Sequence, residues 1–348
     1  MRLSSNQDKV TIKEVAERAG VSQMTVSRVV NGQGLVKEAT RKKVETAISE
    51  LNYRPNLMAR RLAGGNSFFI GIVYHNPSPS YLAKVLEGAL KACRNLGHHL
   101  VIDDMGAVNP DNGNHKKVAE SLRRAGLDGV IITPPLSDNR DLVDALTDLG
   151  VACVRVAPGN VFTDTLRVAM DDTAAVHQMI EYLIDLGHER IGFIKGPDDH
   201  PSSLHRYKGF KSALESRKIS YKAELTVDGK FTYRSGMEGA FKLFGLENRP
   251  TAIFASNDDM AAGVVAAANM RGLTVPADLS VAGFDDTEIA TSIWPELTTI
   301  KQPISEMSER AVNLLSAKLS GDSSVDEKNT TLLAFDLIKR GSVQPLKT

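Results

Sequence analysis

A short run near the N-terminus, Ser22-Gln23-Met24-Thr25-Val26-Ser27-Arg28-Val29-Val30-Asn31, carries several hydrogen-bonding side chains and no acidic residue. Arg28 offers a planar fork suited to two parallel hydrogen bonds with guanine, and Gln23 an amide suited to adenine; Met24 can offer only apolar contact. A second set is spread along the chain. His75, Asn76, Tyr81, Asp103, Asp104, Arg155, Asp171, Ser203, Arg206, Phe231, Asn257, Asp258 and Asp285 each fall in or just after an apolar, strand-like segment. In open parallel sheets ligands bind beyond the carboxyl ends of the strands, so these are the side chains placed to meet one. A guanidinium, a carboxylate and an amide together suit vicinal hydroxyls, and an aromatic face suits a sugar ring or a base.

The first set needs a helix to present it. Thr11-Ile12-Lys13-Glu14 has the form of a capping box and starts a helix with Val15, Ala16 and Ala19 inward; Gly20-Val21 breaks it. Ser22 can cap a second helix, Gln23 to Val30, whose Val26, Val29 and Val30 point inward, and Asn31-Gly32 stops it. Two short helices joined by a tight glycine turn form a helix-turn-helix. An ordinary solvated hairpin would carry acids on the outer face of the second helix. A third helix, Lys37 to Asn52, closes the core with Val44, Ala47, Ile48 and Leu51. Beyond Tyr53-Arg54-Pro55, the stretch capped by Asn56 and ended by Gly64-Gly65 is too short to be helical alone in water, so it should order only against a partner.

From Phe68 onward apolar strands alternate with amphipathic helices in two successive runs, with a switch near Val168 to Asp171. That pattern specifies parallel sheets covered by helices, here as two α/β lobes facing one another across a cleft. With 348 residues the chain has length for about two domains at roughly 150 residues each. The net charge of zero hides an asymmetry: residues 1–66 hold 12 Lys and Arg against 6 Asp and Glu, the rest 30 against 36. A basic head on a mildly acidic body fits a phosphate-binding module fused to something else.

Val10 to Gly32, Leu51-Asn52-Tyr53-Arg54-Pro55-Asn56 and Ala59-Arg60-Arg61-Leu62-Ala63-Gly64 resemble the DNA-binding head and hinge helix of the lac repressor family of bacterial transcription regulators. Gly283-Phe284-Asp285-Asp286-Thr287-Glu288 and Pro295-Glu296-Leu297-Thr298-Thr299-Ile300 resemble that family's periplasmic-binding-protein-like effector domain. The resemblance spans about Val10 to Ser342. It implies an all-α helix-turn-helix head at 1–54, a hinge helix and linker at 55–67, and a two-lobed α/β effector-binding and dimerisation domain at 68–348. The N-lobe is then about 68–168 plus 300–330 and the C-lobe about 169–299 plus 331–342, with crossings near 168, 300 and 331.

The resemblance also implies site residues. Gln23, Met24 and Arg28 would face base edges in the major groove, with Ser22, Thr25, Ser27 and Asn31 on the backbone. Asn56, Ala59 and Leu62 would enter the minor groove, Leu62 as an apolar wedge beside the basic Arg60 and Arg61. Arg206 would clamp the effector, Asn257 and Asp285 would hydrogen-bond it, and Tyr81 and Phe231 would lie against it. Each has a plainer reading: Asn257 and Asp285 as turn residues, and Asp172, Asp259 and Asp286 as helix caps. Arg155 departs from the family's usual run at this point; within an apolar strand it needs a partner, either a pocket acid such as Asp103 or an acidic effector.

The expected function is sequence-specific transcriptional regulation, as a homodimer on a palindromic operator, most simply repression of sugar-utilisation genes under control of a non-covalent sugar. The alternatives are a nucleobase- or nucleoside-responsive repressor, or an activator. No cofactor or metal is expected. An enzyme would need a constellation such as HExxH, GxSxG or a phosphate-binding glycine loop; none occurs, and Gly32-Gln33-Gly34 lacks a third glycine and a preceding strand. Met1 to Lys9 lacks the apolar stretch of a signal peptide, no run is long enough to span a membrane, and there are only two cysteines, so a cytoplasmic location is expected. Only Ser342 to Thr348 follow the last family segment, so a dimer is expected rather than a tetramer.

Overall fold

The computed structural model describes residues 10–30, 36–51, 53, 67–104, 114–160, 162, 164–325 and 330–346. The chain divides into two units, 1–67 and 68–348. In the first, α1 (Ile12–Ala19), α2 (Gln23–Val30) and α3 (Glu38–Glu50) enclose Val15, Ala16, Val26, Val29, Val44 and Ala47. The Glu14 carboxylate accepts the Thr11 N–H at 2.7 Å and the Thr11 hydroxyl at 2.9 Å, satisfying a donor that α1 leaves open. Those bonds hold Glu14 below the usual carboxylate range. Gly20 takes the left-handed conformation, φ 66°, that ends α1 and turns the chain into α2. Arg18 and Glu50, 2.6 Å apart, tie α1 to α3.

The second unit is two lobes, each a six-stranded sheet covered by helices on both faces. The first sheet contains β1 (Phe69–Tyr74), β2 (His99–Asp104), β3 (Gly129–Ile132), β4 (Ala152–Val156), β5 (Leu166–Ala169) and, from far along the chain, β11 (Thr330–Leu332). Its order is β11-β5-β4-β3-β1-β2. The helices are α4 (Pro79–Leu96), α5 (His115–Arg124) and α6 (Arg140–Asp148). The second sheet contains β6 (Ile191–Lys195), β7 (Thr226–Asp228), β8 (Ala252–Ala255), β9 (Ser280–Asp285), β10 (Thr298–Lys301) and β12 (Asp336–Ile338), ordered β12-β10-β9-β8-β6-β7. Around it lie α7 (Asp172–Asp185), α8 (Pro201–Ser216), α9 (Tyr233–Phe244), α10 (Asp258–Met270) and the single turn α11 (Ile289–Ser292). Helix α12 (Ile304–Leu319) returns to the first lobe, where Ile304, Met307, Ala311, Val312 and Leu315 join the core under α4. Pairing is parallel throughout except β12 on β10.

The central strands are buried on both faces, so they read as continuous apolar runs such as Ile70 to Val73 and Val130 to Ile132. The chain crosses between sheets after Ala169, after Lys301 and after Leu332, slightly beyond the expected 168, 300 and 331. The starts of α7, α8 and α10 are set by local signals. Asp171 accepts from Ala174 N and Asn257 from Met260 N, while Pro201 opens α8.

Candidate functional site

On the head, α2 turns Val26 and Val29 inward and leaves Gln23, Met24 and Arg28 exposed; Met24 is 66% accessible. A methionine this open on an otherwise polar face is available for apolar contact with a partner. Ser22 caps the helix: its hydroxyl accepts from Thr25 N at 3.2 Å and meets the Thr25 hydroxyl at 2.9 Å. Thr25 and Ser27 are half-buried beside it. Asn31, Asn56, Ala59 and Leu62, with Arg60 and Arg61, lie outside the described residues.

In the body, a narrow cleft opens between the lobes, with side chains of both lobes lining it. The structure gathers six of the expected residues there: Asn76, Tyr81, Arg206, Phe231, Asn257 and Asp285. Arg206 rises from α8 into the centre. Its Nε donates to Asp172 at 2.8 Å, its Nη1 to the Ser256 carbonyl, and its Nη2 lies 3.8 Å from the Asp285 carboxylate. Its guanidinium carbon sits 3.7 Å from the Phe284 ring centroid, so the buried charge is bonded in its plane and covered on one face.

Asp285 is buried and its Oδ1 accepts no hydrogen bond. Burial holds it well above the usual carboxylate range, with Arg206 opposing the shift and Asp258 and Asp259 adding to it. Asn257 is engaged within the protein: its carbonyl caps α10 and its amide donates to the Phe231 carbonyl at 3.0 Å. Its role is thus to fix Phe231, whose ring stands edge-on to His200 with centroids 5.3 Å apart. Phe231, Asp285 and Ala157 all line the cleft and all have positive φ, 56°, 110° and 47°. Such conformations cost about 1–3 kcal/mol each and persist where the surroundings over-determine them, as at ligand sites.

Four side chains present buried polar atoms without partners around this space: Tyr81 Oη, His200 Nε2, Asp285 Oδ1 and Gln302 Oε1. Burial lowers the His200 pKa, and its Nδ1 lies 2.9 Å from Asp199. The neutral ring therefore donates from Nδ1 and leaves Nε2 as an acceptor. The cleft is rich in acceptors, and its buried cation, Arg206, donates two of its five N–H groups to Asp172 and the Ser256 carbonyl.

His75, Asp103, Arg155, Asp171, Ser203 and Asp258, also expected past strand ends, lie outside the lining. His75 is exposed and outside the lining, and Asp103 is on β2 at the sheet edge. Arg155 is fully buried on β4 but does not line the cleft. Nor does it reach Asp103, since β3 and β1 stand between their strands; it bonds Thr165 and two backbone carbonyls. The three aspartates read as caps have other partners. Asp172 pairs with Arg206, Asp286 lies 2.6 Å from Arg340, and Asp259 accepts from Ser78 at 2.6 Å. Asp172, His200 and Gln302 belong to the lining without having been expected there.

Residues 11–56 match the family model for bacterial regulatory proteins of the lacI family, and 180–343 the periplasmic binding protein-like domain. Catabolite control protein A of Priestia megaterium is 34% identical over 311 residues, 88% of this chain and 91% of that protein. The chain belongs to the lacI family. A transcriptional repressor of Photobacterium profundum, PurR, is 33% identical to this lacI-family chain over 97% of it and 99% of the relative. Among solved structures, the lac repressor dimer bound to operator and the anti-inducer ONPF matches with a TM-score of 0.81 and 31% identity, over 97% of this chain and 100% of that one. A CelR–cellobiose complex matches at 0.72 and 29%, over 96% and 99%. The protein is a DNA-binding transcriptional regulator, with a helix-turn-helix head and a periplasmic-binding-protein-like body. No described helix is long and apolar enough to cross a membrane.

Proposed function

We propose that the chain is a cytoplasmic repressor that binds a palindromic operator as a homodimer, and that a neutral, polyhydroxylated effector, a sugar, controls its affinity from the interlobe cleft. Gln23, Met24 and Arg28 of α2 are its base-reading side chains. The dimer and operator follow the lac repressor dimer–operator complex among the solved structures similar to this one.

The observation that carries the sugar reading is the set of unpartnered buried polar atoms facing a cleft whose cation, Arg206, is already charge-paired with Asp172. A ligand must donate to His200 Nε2 and Gln302 Oε1 and either donate to or accept from Asp285 Oδ1, which hydroxyl groups can do. A phosphate or carboxylate would meet these acceptors and find Arg206 already paired with Asp172. Desolvating an anion there would cost more than the cleft returns. A thermal-shift panel of neutral sugars, sugar phosphates, sugar acids, nucleobases and nucleosides tests this. A ligand at 100 times its dissociation constant stabilises by about 2.7 kcal/mol. Stabilisation is expected from a neutral sugar alone; a response confined to phosphorylated or acidic compounds would exclude the reading, and one confined to nucleosides would favour the nucleoside alternative.

A further inference from the structure

Among the described residues Arg155 is the largest side chain with no access to solvent, and it lies behind the cleft rather than in it. Its Nε donates to Thr165 Oγ1 at 3.0 Å, and its Nη1 donates to the carbonyls of Ser137 at 3.0 Å and Asn160 at 3.1 Å. Its guanidinium lies 4.1 Å from the Phe162 centroid, a ring that Arg140 also approaches at 5.2 Å. One cation thus gathers the segments after β3 and β4, at the carboxyl end of the sheet where the cleft opens, and the residue that leads into β5.

The segment after β4 is held a second time. Asp138 accepts from Asn160 N at 2.6 Å and from Gly159 N at 3.1 Å. This fixed segment runs into the other lobe. A Cβ built on Gly159 would stand 2.4 Å from Pro201 Cβ, 2.9 Å from its carbonyl carbon and 3.1 Å from Ser202 N. Those atoms open α8, the helix that carries Arg206. Backbone at this separation leaves no room for a side chain, and Gly159 has no positive φ that would require glycine for another reason.

We propose that Arg155 is a positioning residue for effector binding: with Asp138 it holds residues 157–160 as a strut whose glycine tip, Gly159, lets the lobes close against the start of α8. The functional weight of the strut rests on the cleft being the effector site; the contact itself does not. Arg155 suits the task because it places donors at two fixed nitrogens, Nε toward Thr165 and Nη1 toward the two carbonyls, where a lysine offers a single nitrogen. The strut also supplies cleft wall, since Ala157 lies in it.

The test reads lobe separation in the full-length chain without any effector. Cys93 and Cys153 are buried, so spin labels go to Asp141→Cys, exposed on α6 of the first lobe, and Lys230→Cys, exposed just after β7 of the second. Labelled chain is diluted into unlabelled chain so that only distances within a subunit are measured by electron–electron resonance. The wild type is expected to show a short-distance population, which Gly159→Ala moves outward by several ångströms. Pro201→Gly, which removes the nearest clashing atom, should restore it in part. Arg155→Met and Arg155→Lys should both broaden the distribution outward, with amide exchange accelerated at Gly159 and Asn160 but not in β1 and β3. Four results would overturn the strut: a wild type with only the long distance, a Gly159→Ala distribution like the wild type, full recovery of the Arg155 site by lysine, or loosening of the whole first lobe in Arg155→Met. A sugar panel that fails while the distances shift as expected would sink the effector reading and leave the strut standing.

Discussion

The Ser78 hydroxyl donates to the Asp259 carboxylate at 2.6 Å, joining the start of α4 in one lobe to the first turn of α10 in the other. The same hydroxyl accepts from Tyr81 N at 3.3 Å, so one side chain caps α4 and bridges the cleft. Asp259 is held above its usual range by burial, and Ser78 opposes that shift by favouring the charged form. Tyr81, one turn along, faces the same space with its hydroxyl unpartnered.

Ser78→Ala therefore removes a cap and a bridge together, whereas Asp259→Asn keeps the cap and weakens the bridge. The first should lose about 1 kcal/mol of stability from the cap. Both should weaken the response to effector. Urea unfolding and effector titration by thermal shift separate the two effects; an effector response untouched in both variants would show that this bridge plays no part in closure.

Arg206 and Asp285 differ in what their loss leaves behind. Arg206→Ala strands Asp172 and Asp285 in a buried space without their cation, a situation that costs about 3–5 kcal/mol. Asp285→Asn removes a carboxylate whose ionisation burial already opposes, so the fold should keep its stability. The expected outcome is a marginal Arg206→Ala protein and a stable Asp285→Asn protein that binds operator but ignores effector. Wild-type effector affinity in Asp285→Asn, measured by calorimetry, would remove Asp285 from the site.

Much of this arrangement was legible before any coordinates. Strand and helix alternation and the polar residues past strand ends are local signals, and they point to six of the residues that meet in the cleft. Misread residues are those whose partner is remote in sequence. Asp172 looks like a cap because it opens a helix, yet Asp171 takes that role and Asp172 turns to Arg206. Asp286 meets Arg340 and Asp259 meets Ser78, across 54 and 181 positions. Helix α12 is not among the elements read from the sequence, because the alternation of strands and helices does not demand it; it belongs to the first lobe because the chain crosses back. Arg155 signalled that it needed a partner, and its partners are mainly backbone carbonyls, which no residue type advertises.

Arg28 is exposed on α2 beside Gln23 and Met24, and its side chain takes no part in the core of the head. Arg28→Ala should leave the melting of the head unchanged, weaken operator binding by about 1–3 kcal/mol and relax preference at one symmetric base pair. Ser22→Ala should act differently, costing about 1 kcal/mol of head stability through the lost cap. Competition binding over operator variants checks this. A uniform loss across all sequences for Arg28→Ala would assign Arg28 to the phosphates instead.

Asp258 links the start of α10 to the neighbouring strands: Thr299 donates its hydroxyl to Oδ1 at 2.6 Å and Thr287 its N–H to Oδ2 at 2.8 Å. Full burial outweighs both bonds, and neighbouring Asp286 and Asp259 add to it, so the pKa is pushed up from 3.8 to about 7. The folded protein then holds this proton more tightly than the unfolded chain does. Stability from Asp258 is fully present below the unfolded value and is lost as pH rises through the interval from 3.8 to about 7, with no further change above it. Asp258→Asn keeps an oxygen for the Thr287 N–H and can donate to Thr299, whose hydroxyl can turn to accept. This variant should be more stable than the wild type at pH 8 and show a flatter fall in stability between pH 4 and 7. Urea midpoints measured across that range decide it. Parallel curves for the two proteins would mean that Asp258 is ionised in the folded state throughout, and that the two threonine bonds outweigh its burial.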